Sequence, residues 1–315
     1  MPLPIADLLY APTRVPPRDT VEAWWPRWRD GAARAGTPVA MALRGGFDAD
    51  RVGWAFASGY QAALRRLHPA LPAAVVAALC VTEEASNRPR DIATRFTPQP
   101  DGSVRIDGAK RWTTLGPHSG CLLVVGAMAG ATAGADGAER PLLKVAVVPG
   151  NAAGLSIAPQ HDLRFVPEVP HARLVLSGVR VDAAALLAGD GYDDYVKPFR
   201  TIEDAFVALA LLAYLLREAR ARDWPAAFVE RLCALLEALC ALADADAAAA
   251  ATHVALAGAL AWARQLYAEA DALWAQAAHD AAAARWRRDA PLLQVAAKLR
   301  ELRTQRAWQR LRAAG

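Results

Sequence analysis

Residues Asp101–Thr114 read DGSVRIDGAKRWTT. Two short β-prone runs, Val104–Asp107 and Lys110–Thr114, follow the dipeptides Asp101-Gly102 and Asp107-Gly108. Asp-Gly is turn chemistry, because glycine accepts the positive φ that a tight reversal needs, so the stretch predicts strand, turn and strand. Moving outward, Ala78–Glu83, Ile92–Thr97, Cys121–Ala127, Leu142–Val148, Leu155–Ala158 and Arg173–Val181 repeat the pattern, with Pro149-Gly150 and Ser177-Gly178 among the separators. Short strands at this spacing, eight in all, predict an antiparallel barrel or sandwich over residues 77–189. The small, polar stretch Gly130–Glu139 predicts a loop within it.

On both sides the period changes to that of helices. In residues 1–76, Pro2, Pro4, Pro12, Pro16 and Pro17 make an irregular lead-in, and Asp19–Ala33 predicts a short helix carrying Trp24, Trp25 and Trp28. Phe47–Leu67 predicts a longer one, with Asp48 as its candidate N-cap and Val52, Phe56, Tyr60, Ala63 and Leu67 at helical spacing. The three tryptophans read as the packing of a small helical lobe rather than a stacking platform for bases. Residues 190–315 predict four helices: Thr201–Arg222, Pro225–Leu242, one from Asp246 to about Ala284, and one from Asp289 and Pro291 to about Arg312. Short connections make these an antiparallel four-helix bundle. The expected fold class is therefore α+β multidomain: a helical lobe (1–76), a β-domain (77–189) and a bundle (190–315).

Composition narrows the function. Of 315 residues, 54% are hydrophobic, enough to rule out disorder. The longest apolar run, Ala205–Leu216, falls short of the roughly 20 residues of a membrane span. The start of the chain lacks the basic and apolar regions of a secretion signal. Cys80, Cys121, Cys233 and Cys240 form no CxxC pair and no zinc-like cluster, and read as buried thiols of a reducing cytoplasm. No Walker loop, GxGxxG, HExxH or GxSxG is present, which removes the usual sequence support for ATP hydrolysis, a Rossmann cofactor site, zinc proteolysis and serine hydrolysis. Between Arg285 and Gly315 nine basic residues stand against two acidic ones, while the rest of the chain is net negative. That tail reads as a solvated helix face, with phosphate binding as the other option.

Four pieces in order carry a resemblance: LCVTEE (Leu79–Glu84), DGSVRIDGAKRWTT, VVPGNAAGLSIAP (Val147–Pro159) and LVLSGVRVDAAALLAGDGY (Leu174–Tyr192). Together they resemble the acyl-CoA dehydrogenase family, whose β-domain carries a Val-Thr-Glu strand, a dGxxxxGxKxWxT hairpin, a VPxxxxGlxi segment and an exit of the lxfxxVxVpxxxllgxxGxGf kind. The resemblance implies bound FAD, with Val81, Thr82, Trp112, Thr113 and Thr114 as its contacts. Trp112 matches the residue that covers a face of the ring, Thr114 the threonine near flavin N5 and O4, and the strand up to Thr82 the segment holding the pyrimidine edge. It further implies α,β-dehydrogenation of an acyl thioester carried on coenzyme A or a carrier protein. A glutamate takes the α proton, hydride leaves to the flavin, and electrons pass to a partner protein or oxygen. A homodimer or homotetramer, with no membrane or nucleic-acid partner, is implied as well.

The chain departs from that pattern in three places. No Tyr-Glu-Gly-like motif occurs late in the chain, and aligning Ala208, Ala210 and Ala213 with the family's first bundle helix makes Glu203 the candidate base, with Asp204 where the family has arginine. The glycine-rich turn after Val-Thr-Glu is replaced by EASNRPRD (Glu84–Asp91), in which Arg88 and Arg90 are candidate phosphate ligands. The N-terminal lobe is short. Each residue also has a structural reading: Trp112 as a core residue, Thr82 and Thr114 as strand filler, Glu203 as a first-turn carboxylate or a partner of Arg200, and the arginines as a solvated loop. For the whole chain the alternatives are a catalytically degenerate paralogue with a structural or regulatory role, and a nucleic-acid-binding member using the basic last helix.

Overall fold

A computed structural model describes residues 5–84, 89–133, 140–160, 163–277 and 280–314. The fold is α+β, with helices at both ends of the chain and a sheet between them. It divides into two compact units: Met1–Arg66 with Leu163–Glu168 and Phe199–Gly315, and Leu67–Asp162 with Val169–Pro198. The helices at the two ends of the sequence thus cluster in one unit.

The sheet unit holds β1 (Val76–Cys80), β2 (Arg95–Pro98), β3 (Ser103–Thr114), β4 (Ser119–Ala133), β5 (Arg140–Pro149), β6 (Leu155–Pro159) and β7 (His171–Asp182). The order is β1-β4-β2-β3-β7-β6, with β5 also paired to β4. Side chains from β1 to β5 and β7 meet in one core around Phe96, Ile106, Leu122, Val124, Val148 and Leu174. A flat sheet cannot bring all its strands to one core, so the sheet is folded over on itself. Two expectations are corrected. The pairs β1–β4 and β2–β4 are parallel, not antiparallel. The expected strands Val104–Asp107 and Lys110–Thr114 are one strand, because Asp107-Gly108 is an irregularity within the β3–β7 ladder and not a reversal. Gly108 is needed there for space, since a Cβ would lie 2.5 Å from Thr94 Oγ1. The true turn is at Gly102, where φ is +80°. The expected loop at 130–139 begins as the end of β4, and residues 134–139 lie outside the described residues.

The helical unit contains α1 (Ile5–Tyr10), α2 (Val21–Ala35), α3 (Pro38–Phe47), α4 (Val52–Leu67), α5 (Lys197–Ala221), α6 (Ala226–Asp244), α7 (Ala250–Ala275), α8 (Ala281–Asp289) and α9 (Ala297–Ala314), the last residue of α4 and the first two of α5 being grouped with the sheet. Phe47 ends α3 rather than opening α4, so Asp48 caps a C-terminus instead of an N-terminus. The expected third bundle helix is two, because Asp280 accepts from Ala282 N and caps a new start for α8. Trp24 and Trp28 are buried, and Trp24 stacks on Trp54 with ring centroids 5.1 Å apart. The cluster is packing, as its apolar surface requires. Cys80 and Cys121 are buried, whereas Cys233 and Cys240 are only partly so. Among the described residues no helix is long and apolar enough to cross a membrane.

α5 is the axis of this unit, with 17 of its 25 residues buried. Its alanines allow close approach: a methyl group on Gly46 of α3 would overlap the backbone of Ala210, and one on Gly59 of α4 would come within 2.7 Å of Phe206 O. Gly46→Ala should therefore destabilise the helical unit by about 1–3 kcal/mol, since backbone cannot yield as a side chain can. A lowered urea midpoint of the helical signal checks this.

Candidate functional site

The site is built on a bulge in β3. The β3–β7 register runs Lys110↔Leu174 and then jumps to Thr113↔Ala172, which leaves Arg111 and Trp112 outside the ladder. Their amides are satisfied elsewhere, as buried or half-buried donors must be. Arg111 N donates to Thr82 O at 2.9 Å, and Trp112 N donates to Gln160 Oε1 at 2.6 Å. Trp112 has φ +58°, a conformation rare for a bulky residue and a pointer to a constrained position. The bulge absorbs one residue. Lys110 and Thr113, three apart, are therefore both buried, while Trp112 is 41% exposed.

Two side chains meet the indole. The Arg111 guanidinium sits 5.0 Å from its ring centroid, and His171 meets it edge to face at 6.3 Å. The same imidazole reaches Thr114, with Nε2 3.4 Å from Oγ1. Gln160, whose side chain holds the Trp112 amide, also donates its own backbone N–H to His171 O at 2.9 Å. Burial pushes the His171 imidazole below its ordinary value, partly offset by the Val169 carbonyl, so the ring is neutral at physiological pH. Thr113 is turned inward against the Cys80 thiol, so only its backbone is left to meet a ligand. Burial lifts that thiol to about 12, which makes it inert as a nucleophile.

The Val-Thr-Glu segment is not part of β1, which ends at Cys80; residues 81–83 follow it without regular secondary structure. Val81 O accepts from Lys110 Nζ at 3.3 Å and Thr82 O from Arg111 N, so both carbonyls already have a partner. The Thr82 hydroxyl is half-buried and bonds to no described residue. Glu83 is buried and takes four hydrogen bonds: Lys110 Nζ at 2.6 Å, Thr94 Oγ1 at 2.7 Å, Thr94 N at 3.1 Å and Ala93 N at 2.7 Å. Burial works to raise its carboxyl, and the Lys110 charge with these bonds more than reverses that, so the group lies below the usual range. This pair ties the Val-Thr-Glu segment to the Gly-x-Lys-x-Trp segment and fixes where Thr82 and Trp112 stand.

Glu203 lies on α5. A π-helical stretch, Gly191–Val196, capped by Asp190, runs into α5 at Lys197, so Glu203 is on the second turn and not the first. No ion pair with Arg200 or hydrogen bond to a described residue holds its carboxyl. Burial lifts it to about 7, with the charge of Asp204 adding and those of Arg300 and Arg200 opposing. Asp204 is differently placed: Arg300 Nε and Arg303 Nη2 of α9 bind its two oxygens at 2.8 and 2.6 Å. Two arginines of the basic tail are therefore structural. Arg90 is exposed and has only a loose pairing with Asp91 at 3.7 Å, while Arg88 lies outside the described residues. No group of His, Cys, Asp and Glu among the described residues has metal-site geometry. Sequence reasoning missed His171, Gln160 and Lys110; only Lys110 had a local signal, standing in the motif that contains Trp112.

No protein-family model matches the sequence, and no curated protein does. Solved structures do. Butyryl-CoA dehydrogenase from Megasphaera elsdenii superposes with a TM-score of 0.64 at 15% identity, covering 86% of this chain and 80% of that one. The chain has the acyl-CoA dehydrogenase fold. The FAD complex of PigA is similar too, with a TM-score of 0.67 at 13% identity over 92% of this chain and 90% of that one. So is a glutaryl-CoA dehydrogenase from Mycobacterium smegmatis in complex with FADH2, with a TM-score of 0.62 at 15% identity, covering 86% and 78%. The acyl-CoA dehydrogenase fold accounts for the order of helices, sheet and helices read from the sequence.

Proposed function

We propose that this chain is an FAD-binding flavoprotein of the acyl-CoA dehydrogenase type that removes two hydrogens from an acyl thioester. The observation that carries the reading is Trp112: a large aromatic ring, held half-exposed by a bulge with strained φ, next to a threonine and an imidazole. An isoalloxazine is flat and apolar on its faces with donors and acceptors along its edge. An exposed indole, the Thr114 hydroxyl and the unengaged Thr82 hydroxyl fit it in kind. The fold shared with the FAD complex of PigA supports the same cofactor.

When bound, FAD supplies the hydride acceptor. Trp112 covers part of the ring, Thr114 and Thr82 bond its polar edge, and the Glu83–Lys110 pair keeps the two segments in register. Glu203 takes the α proton: a carboxyl near 7 is divided between base and acid at neutral pH, as a general base requires. Arg90 is available for a phosphate of the thioester carrier. Coenzyme A or a carrier protein would bear the acyl group, and a partner protein or oxygen would take up the two electrons.

The test is colour. The purified chain should be yellow or become so on reconstitution with FAD, with near one flavin released per chain by acid. Trp112→Ala should lower flavin affinity at least tenfold, the scale of one lost aromatic stacking contact. A colourless protein that takes up no FAD would remove the reading and leave the degenerate paralogue.

A further inference from the structure

We propose that the N-terminal helices carry a binding pocket for one oxyanionic group, the phosphate or carboxylate end of a small molecule, formed where α2 meets α3. The proposal does not depend on the flavin reading. Arg27 and Trp28 stand four and three residues before Gly31, so the three share one face of α2. Arg44, Gly45 and Asp48, at the end of α3, line the same pocket together with Arg18. Gly31 leaves a notch open, since a Cβ there would meet nothing within 4 Å. The pocket has room for one water-sized group. A single oxygen of an anion fits inside it, with the rest of the group at the mouth.

The donor that decides the chemistry is Trp28 Nε1. It is buried and bonds to no described residue, and a buried donor left unpaired is costly. The indole is held in place. Its ring stacks on Trp25 with centroids 5.1 Å apart, and the Arg65 guanidinium lies 5.0 Å from its centroid. Its pyrrole edge is set against Gly45, where a Cβ would fall 2.6 Å from Nε1. Arg27 is exposed and has no ion pair or hydrogen bond among the described residues. Arg44 Nε reaches Asp48 Oδ2 at 3.4 Å, and Arg18 Nη1 donates to the Asp48 carbonyl at 2.8 Å. Three guanidiniums thus line the pocket against one carboxylate. Burial pushes the Arg18 guanidinium below its ordinary value, and the charges of Arg27 and Arg217 add to this while those of Asp50 and Asp48 oppose it. Apart from Asp48, every polar side chain of the lining can only donate. A water accepting from the indole would have two protons of its own to place and one carboxylate, already facing Arg44, to receive them. An oxyanion oxygen has no proton to place, and its charge offsets the surplus of guanidiniums.

The experiment follows the Trp28 indole N–H of the full chain by NMR, identified among the indole signals by its cross-relaxation with Gly45. Sodium chloride is exchanged for sodium phosphate at constant pH and ionic strength. The Trp28 signal should move saturably with phosphate. The signal of Trp286, whose N–H is bonded to Asp271, should stay where it is. Arg27→Gln, at an exposed position of α2, should weaken phosphate binding roughly tenfold, the scale of one charge-assisted hydrogen bond. Acetate in place of phosphate tells the two head groups apart, because whichever anion binds names the charged end of the ligand. A Trp28 signal that answers neither anion beyond the chloride baseline overturns the proposal and leaves the indole N–H to a buried water. Equal affinity in Arg27→Gln overturns it as well, since the free guanidinium would then take no part.

Discussion

Lys110→Met should cost the sheet unit about 3–5 kcal/mol, the usual result of removing one partner from a buried ion pair. The ammonium is fully buried and lies 2.6 Å from Glu83 Oε1. Methionine fills nearly the same volume, so the loss is electrostatic: a carboxylate remains in a low-dielectric core with only neutral donors. Glu83→Gln should also destabilise, because Oε1 serves Thr94 and Lys110 while Oε2 serves Ala93 N, so the single amide oxygen leaves one set of donors facing an NH2 and the ammonium without its countercharge. Lys110→Met combined with Glu83→Leu should recover part of the loss, because no charge is then left unpaired. The pH dependence has a definite sign. The folded Glu83 carboxyl lies below its ordinary value of 4.5, so its contribution is complete above that pH and is lost as pH falls through the lower, folded value. In Lys110→Met this acid-limb dependence should weaken or reverse. Hydrogen exchange of β1 and β3 amides is the suitable readout, because a chain with two compact units need not unfold in one step. Unchanged protection in Lys110→Met would mean that the pair does not hold the two motif segments together.

What the sequence could say about this region was limited by distance along the chain. The strands around 101–114 were legible from alternation and glycine, because those signals are local. The continuity of β3 through Asp107-Gly108 was not: the dipeptide has the chemistry of a turn, and only the proximity of Thr94 reveals that its glycine serves close packing instead. Likewise α3 was hidden, because Ala40, Met41, Ala42 and two glycines carry little helical periodicity, and its packing partner Ala210 lies far along the chain. The candidate ring contacts were readable because they stand in one motif. His171 was not, since HARLV has no signal of its own, and its meaning comes from a register partner 57 residues away. The basic tail looked like a solvated face by count alone. Its pairing with Asp204 depends on α9 lying against α5, which no local pattern encodes. That pairing also bears on the nucleic-acid alternative: reversing Arg303 would break an internal ion pair, so Arg306, exposed and with no acidic partner among the described residues, is the cleaner probe of that alternative.

Glu203→Gln should abolish anaerobic bleaching of the bound flavin by an acyl thioester while leaving FAD content unchanged, and it should also stabilise the protein above neutral pH. The two effects have one cause. The half-buried carboxyl is desolvated beside the charge of Asp204, which outweighs the charges of Arg300 and Arg200, and no hydrogen bond to a described residue holds it, so its proton is held until about pH 7, against an ordinary value of 4.5. The unfolded chain releases that proton more readily than the folded one. Stability therefore falls as pH rises from about 4.5 to about 7, by up to roughly 3 kcal/mol, and stays reduced above that. A glutamine has no charge to desolvate and should regain most of this at pH 8, with little difference from the parent at pH 4. A carboxylate kept only for structure would show the opposite, a loss of stability on neutralisation. Such a gain in stability joined to a complete loss of turnover is the signature of a group maintained for chemistry at the expense of the fold. Thermal unfolding of both proteins at pH 4 and pH 8, beside the bleaching assay, separates the outcomes. A stabilised variant that still bleaches would move the base elsewhere, and a destabilised one would make Glu203 a structural residue.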